Sequence, residues 1–203
     1  MITYSAENVL EILLSSEKIN PNDLPASHGL YCLWDHLERP IYIGETHSKS
    51  QGYRSRIGKH IAGSVDMKHM FSRWYNLGPL FTFHEIKDPI KLKRKPDYKI
   101  RIKQEKKNAS LVKKIKNKMI RDLCTVTIYP IYRGELSEAD YHKMLLNIET
   151  NVVDIARKKY LSENVIPFKN EIIERYANDC TRTIEAFFAQ DCLFKEYLSE
   201  VTT

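Results

Sequence analysis

The residues most able to do chemistry lie between positions 29 and 60, in the stretch GLYCLWDHLERPIYIGETHSKSQGYRSRIGKH. Tyr31 and Tyr42 sit in two short apolar and aromatic runs, Gly29-Leu30-Tyr31-Cys32-Leu33-Trp34 and Ile41-Tyr42-Ile43-Gly44, with the turn-forming Asp35-His36-Leu37-Glu38-Arg39-Pro40 between them. That pattern predicts two strands joined as a hairpin. Arg56 and His60 follow, four positions apart, a spacing that puts them on one face of a helix a turn from each other. The hairpin thus offers two phenol hydroxyls, and the helix a guanidinium and an imidazole. Such groups suit phosphate chemistry. Hydrolysing a phosphodiester needs a nucleophilic water, a group to take its proton, and positive charge where the phosphorane and the leaving oxygen turn negative.

Further along, Glu149 in Leu145-Leu146-Asn147-Ile148-Glu149 shares a helical face with Leu145, Val152 and Val153 at the edge of an apolar stripe. A half-buried carboxylate there wants a partner, and a hard cation ligated by oxygen is a natural one. On residue type alone the bland readings stay open. Tyr31 and Tyr42 read as packing residues of strands, Glu149 as a solvated helix charge, His60 as one of seven histidines, and Asn170 in Pro167-Phe168-Lys169-Asn170 as a turn residue.

Order and spacing together resemble the GIY-YIG nuclease family. Gly29-Leu30-Tyr31 stands for the first triplet, with leucine in place of isoleucine. Tyr42-Ile43-Gly44 is the second, eleven residues later, and Arg56-x-x-x-His60, the helical Glu149 and Asn170 follow in the family's order. The resemblance covers residues 28 to 64 and 120 to 170. It implies Tyr31 as general base, Tyr42 orienting the water or the scissile phosphate, and Arg56 as a fork donor to phosphate oxygens in the transition state. His60 is implied as a further catalytic group, Glu149 as ligand of Mg²⁺ with Mn²⁺ as substitute, and Gly44 and Asn170 as support. A phenol with a reference pKa of about 10 needs nearby positive charge to act as a base. Arg54, two residues before Arg56, is expected to contact the phosphate backbone.

The elements that must position these groups are legible in outline. A chain of 203 residues suits one domain. Residues 5 to 18, with Ser5 as N-cap, predict an amphipathic helix, and the prolines of 20 to 25 end it. A helix starts near Tyr53 and carries Gly58, which weakens it by up to about 1 kcal/mol and marks either a close approach or nothing. Residues 64 to 79 have helical spacing, 80 to 86 and 123 to 129 read as strands, and 137 to 159 as a helix opened by Ser137-x-x-Asp140. One or two helices close the chain over 172 to 198. The class is therefore α/β in the α+β sense, a small mainly antiparallel sheet flanked by helices. The organisation expected is one domain over 1–203: N-terminal helix and linker 1–27, catalytic core 28–64 and 120–170, basic insertion 87–118, C-terminal helical extension 171–203.

Net charge is +6, and its distribution says more. Residues 87 to 118 hold fourteen basic side chains against Asp88, Asp97 and Glu105, a local net of +11 that leaves the rest of the chain at −5. This is the footprint of a polyanion-binding arm, with Lys93, Arg94, Lys95, Lys99, Arg101, Lys103, Lys106 and Lys107 as the expected DNA contacts and Ile100, Ile102, Leu111, Val112, Ile115 and Met119 giving a partly helical pattern that orders on DNA. No apolar run reaches the roughly 20 residues of a membrane span, and the first residues lack a secretory pattern, so the expectation is a soluble cytoplasmic protein. Cys32, Cys124, Cys180 and Cys192 show no metal or redox spacing and are expected as reduced thiols. Together these predict a metal-dependent endonuclease on double-stranded DNA, of sequence-specific restriction type, with a homodimer or two successive nicks for double-strand cutting. A phage, mobile-element or repair nuclease, or an inactive nucleic-acid-binding protein of the same fold, are the alternatives.

Overall fold

The two aromatic runs form the hairpin: β1 (Gly29–Trp34) pairs antiparallel with β2 (Pro40–Thr46), Tyr31 opposite Gly44 and Leu33 opposite Tyr42. Its turn is built by Asp35, 1% exposed, whose carboxylate accepts the backbone N–H of Leu37 and Arg39 and both Nε and a terminal nitrogen of Arg39, the last at 2.6 Å. These bonds hold Glu38 in a left-handed conformation, φ 57°. The other edge of β1 pairs antiparallel with β3 (Thr125–Pro130), giving a three-stranded sheet in the order β2-β1-β3. A central strand is covered on both faces, so all six residues of β1 are buried.

A computed structural model of the chain describes residues 4–48, 52–62, 71, 75, 108–161 and 181–202. Besides the sheet these hold five helices: α1 (Ala6–Ser15), α2 (Tyr53–Ala62), α3 (Ala109–Leu123), α4 (Glu138–Leu161) and α5 (Thr181–Thr202). The class is α+β, as the sequence predicts. The chain divides into two compact units, Met1–Gly58 with Cys124–Lys169, and Lys59–Leu123 with Asn170–Thr203.

In the first unit, alternation sorts the sheet's faces, because residues opposed across an antiparallel pair point the same way. Leu30, Cys32, Trp34 and Ile43 face a core shared with Val9, Leu10 and Leu13 of α1 and Leu145, Ile148, Val152, Val153 and Ala156 of α4. Both helices begin where the sequence says. The Ser5 hydroxyl accepts from the N–H of Asn8, and the Ser137 hydroxyl accepts from the N–H of Asp140 while donating to its carboxylate at 2.6 Å. A buried Thr127 ties the layers together: it accepts from the Trp34 indole at 3.0 Å and donates to the Leu13 carbonyl at 2.5 Å. The opposite face carries Tyr31, Leu33, Tyr42 and Gly44.

In the second unit α3 buries Val112, Ile115, Met119 and Ile120 and packs on α5, whose Phe194 is fully buried. Lys118 pairs with Asp122 at 2.7 Å and lies over the Tyr197 ring at 4.6 Å. Phe71 and Tyr75, helical as their spacing predicts, are buried with ring centroids 6.3 Å apart.

Two expectations change. The strand predicted over 123–129 starts at Thr125, because Leu123 closes the apolar stripe of α3 and Cys124 links the two elements. The last residues of the basic stretch do not wait for DNA to order: from Ala109 they are α3, folded by its own apolar face, with Lys116 buried rather than presented. Residues 80–86, the rest of 64–79, and Lys93 to Lys107 lie outside the described residues. Cys32 and Cys124 are buried free thiols and Cys192 an exposed one. No helix among the described residues is long and apolar enough to cross a membrane.

Candidate active site

Four elements of the first unit bring four of the predicted groups together. β1 supplies Tyr31, β2 Tyr42, α2 Arg56 and α4 Glu149. The two tyrosines sit diagonally across the β1–β2 pair with ring centroids 6.0 Å apart. Gly44, directly opposite Tyr31, makes this possible: a Cβ there would stand 2.6 Å from the Tyr31 hydroxyl and 2.6 Å from Cε1 of Tyr42. The second triplet therefore ends in glycine because two rings occupy the space a side chain would take.

From below, α2 braces the pair. The Tyr53 ring meets Tyr31 edge-on at 6.4 Å and its hydroxyl donates to the Tyr129 carbonyl at 3.0 Å. The start of β1 is equally tight. Gly29 has φ 139°, and a Cβ there would strike the Tyr129 carbonyl, the Tyr53 hydroxyl and the Ile131 N–H. One turn along α2 from Tyr53, Arg56 donates a hydrogen bond to the Tyr31 hydroxyl, which in turn donates to Tyr42. The Arg56 Nε is buried and has no hydrogen-bond partner among the described residues. A buried unpaired N–H costs about 1–3 kcal/mol, and a fork donor with one tine engaged and one open is what a phosphate oxygen would satisfy.

Glu149 is 9% exposed, and its charge acts on both hydroxyls. Burial, with the neighbouring acidic groups, pushes the Tyr42 phenol up to about 12 and Tyr31 well above the usual value, and Arg56 is the influence that opposes this for both. The two hydrogen-bonded phenols act as one coupled acid. The arrangement places a positive fork, two phenols and a buried carboxylate around a common point, a set able to bind a phosphate ester, accept a proton and hold an oxygen-ligated cation.

His60 lies on α2 one turn past Arg56, is 3% exposed, and belongs to the residues of the second unit. Asn170 lies outside the described residues. Arg54 spends its Nε on the Leu24 carbonyl at 3.2 Å, tying α2 to the loop before β1. In α2, a Cβ at Gly58 would meet nothing within 4 Å, so among the described residues no close approach explains it.

A second polar group beside these has no counterpart in the sequence reading. Glu45 of β2 is 8% exposed and adds its charge at Tyr42 and Arg56. Opposite Leu30, it points to the face covered by α4, where His47 Nδ1 lies 3.0 Å from one of its oxygens and His142 Nε2 3.8 Å from the other. His47 also lines a cleft of about 450 Å³ with Ser27, His28, Arg133 and Tyr141. That cleft is not lined by Tyr31, Tyr42, Arg56 or Glu149. The only sequence signal was Glu45-x-His47, a spacing that puts both side chains on one side of a strand; nothing in the sequence ties His142 to it. Compared with known proteins, the chain matches no family model, no curated protein and no solved structure.

Proposed function

We propose that this chain is a metal-dependent endonuclease that hydrolyses phosphodiester bonds in double-stranded DNA, with a GIY-YIG-like sheet as its catalytic platform and sequence-specific restriction as its form of action. The observation that carries the reading is the convergence of Tyr31, Tyr42, Arg56 and Glu149 from four elements, with the Arg56 Nε buried and unpartnered among the described residues. The fourteen basic residues of 87–118 support a polyanionic substrate, and two of them, Lys113 and Lys114, are exposed on α3.

In this reading Arg56 does two jobs. One nitrogen holds the Tyr31 hydroxyl, and the guanidinium's other N–H groups donate to a non-bridging phosphate oxygen as negative charge grows there. Because the fork is rigid, the bond to Tyr31 also fixes where the phosphate sits relative to the phenols. The hydrogen-bonded tyrosines orient the attacking water, and the pair, after losing one proton to solvent, takes the water's proton onto the resulting phenolate. Glu149, a buried oxygen donor beside neutral phenols, fits Mg²⁺, which prefers carboxylate, phosphate and water oxygens. Bound there, that ion would supply positive charge to the phosphate and the leaving 3′ oxygen. Tyr42 and Tyr31 lie so far above neutrality that the site's positive charges must be in place before either serves as a base.

The test is cleavage of a duplex by Arg56→Ala and Arg56→Lys. Loss of one such donor costs about 10²–10³ in rate. Lysine keeps the charge but not the fork, so it restores little of that. Full activity in the lysine variant would remove the bidentate role, and full activity in the alanine variant would remove the reading.

A further inference from the structure

Glu45, His47 and His142 each offer a ligand atom, and all three atoms lie within 4.8 Å of one another. We infer that they form a second metal site, for a divalent transition ion of the Zn²⁺ class, separate from the oxygen-ligated cation assigned to Glu149.

Three observations carry this. The first is the donor set. Two imidazole nitrogens and one carboxylate oxygen suit Zn²⁺ and its first-row neighbours and disfavour Mg²⁺, which takes oxygen ligands and near-octahedral geometry.

The second is spacing. Bonds of about 2.1 Å around a tetrahedral ion put ligand atoms about 3.4 Å apart. The 3.0 Å between Glu45 and His47 and the 3.8 Å between Glu45 and His142 bracket that value, so the carboxylate already stands at coordinating separation from both imidazoles. The imidazoles lie face to face, centroids 3.6 Å apart and planes 18° off parallel, so in taking up an ion the two rings rotate out of this stack to bring their in-plane lone pairs to one point beside the carboxylate.

The third is access. Glu45 is buried, its side chain 9% exposed, while the side chains of His47 and His142 are 29% and 38% exposed, so an ion can reach the pair from solvent and find the carboxylate behind it. Three protein ligands leave a fourth position, and His47 stands at the rim of the 450 Å³ cleft. Glu45 sits near the end of paired β2 and His47 one residue past it, and His142 lies in the first turns of a helix fixed by the Ser137 cap and by the Tyr141 hydroxyl on the Ile131 carbonyl at 2.7 Å. Without an ion, a His47 N–H donates to Glu45; the ion takes that proton's place.

The full chain, stripped with chelator and dialysed, is titrated with Zn²⁺ by calorimetry and with Co²⁺ by visible absorption. The site predicts one Zn²⁺ per chain and Co²⁺ d–d bands of a four- or five-coordinate nitrogen–oxygen complex. His142→Ala, at a partly exposed position, folds as the wild type by circular dichroism and binds at least ~10-fold more weakly, the low end of what loss of even an outer-shell partner costs. His47→Gln does the same. Glu149→Ala keeps the wild-type Zn²⁺ affinity, which separates this site from the proposed catalytic one whatever becomes of nuclease activity. No Zn²⁺ binding, binding unchanged in folded His142→Ala and His47→Gln, or loss of binding in folded Glu149→Ala would each overturn the inference.

Discussion

Gly44→Ala tests the packing that sets the tyrosines. The added Cβ would lie 2.6 Å from the Tyr31 hydroxyl, 2.7 Å from its Cζ and 2.6 Å from Cε1 of Tyr42, where ordinary contact begins near 3.4 Å, so both rings must give by most of an ångström. Tyr31 is fully buried and pinned by Tyr53 on its other side, so it cannot simply swing away. Overpacking of this kind costs about 1–3 kcal/mol. Alanine recovers about 0.4–1 kcal/mol by restricting the unfolded chain, so the net loss is at most about 2.6 kcal/mol and centres on about 1 kcal/mol. The functional cost is larger, because a 1 Å displacement of positioned groups costs about 10²-fold in rate. The assay is a double-mutant cycle with Tyr31→Phe, read by chemical denaturation. Removing the hydroxyl removes one of the closest atoms, so Gly44→Ala should cost at least about 0.5 kcal/mol less in the phenylalanine background. A Gly44→Ala variant as stable and as active as wild type, with strict additivity in the cycle, would refute the reasoning.

Three further predictions follow from individual side chains. Asp35→Ala removes a buried carboxylate that takes four hydrogen bonds in the hairpin turn and is the ion-pair partner of Arg39, so it should cost about 3 kcal/mol by denaturant unfolding, nearly independent of salt. Tyr42 keeps its proton to about pH 12 when folded but to about pH 10 when unfolded. Its contribution is therefore full below pH 10 and lost between 10 and 12, on the order of 3 kcal/mol in all, and Tyr42→Phe should flatten the alkaline limb of the stability curve by an amount of that order. Gly58→Ala, which meets nothing within 4 Å, should raise stability by about 0.5–1 kcal/mol, seen as a higher denaturation midpoint at unchanged slope.

What could be read in advance follows from what local sequence encodes. The hairpin was legible because its strands are short aromatic runs around a turn whose Asp35 and Pro40 are turn formers. The helices α1 and α4 were legible because serine caps open apolar stripes of period 3.6. The end of α3 was not, because Leu123, Cys124 and Thr125 pass from helix stripe to strand with no glycine or proline between them. The helical spacing of Leu111, Val112, Ile115 and Met119 was legible, but the density of lysine over 106–118 hid that this face, with Ile120, is complete without DNA. For the candidate site, order and spacing found the tyrosines, Arg56 and Glu149, yet not why Gly44 is there, since that depends on a cross-strand register. The Glu45–His47–His142 group lies beyond a linear reading: Glu45 and His47 are neighbours on the hairpin, but His142 stands 95 residues past His47, and only the docking of α4 on the sheet brings it to Glu45.

The most direct test of the central claim is cleavage of supercoiled plasmid and of a complex genomic DNA, with and without Mg²⁺, by the wild type and by Glu149→Ala shown to be folded. The account predicts Mg²⁺-dependent cutting into discrete fragments by the wild type and none by the variant. DNA bound but left intact by the wild type, or cut equally well by Glu149→Ala, would contradict it.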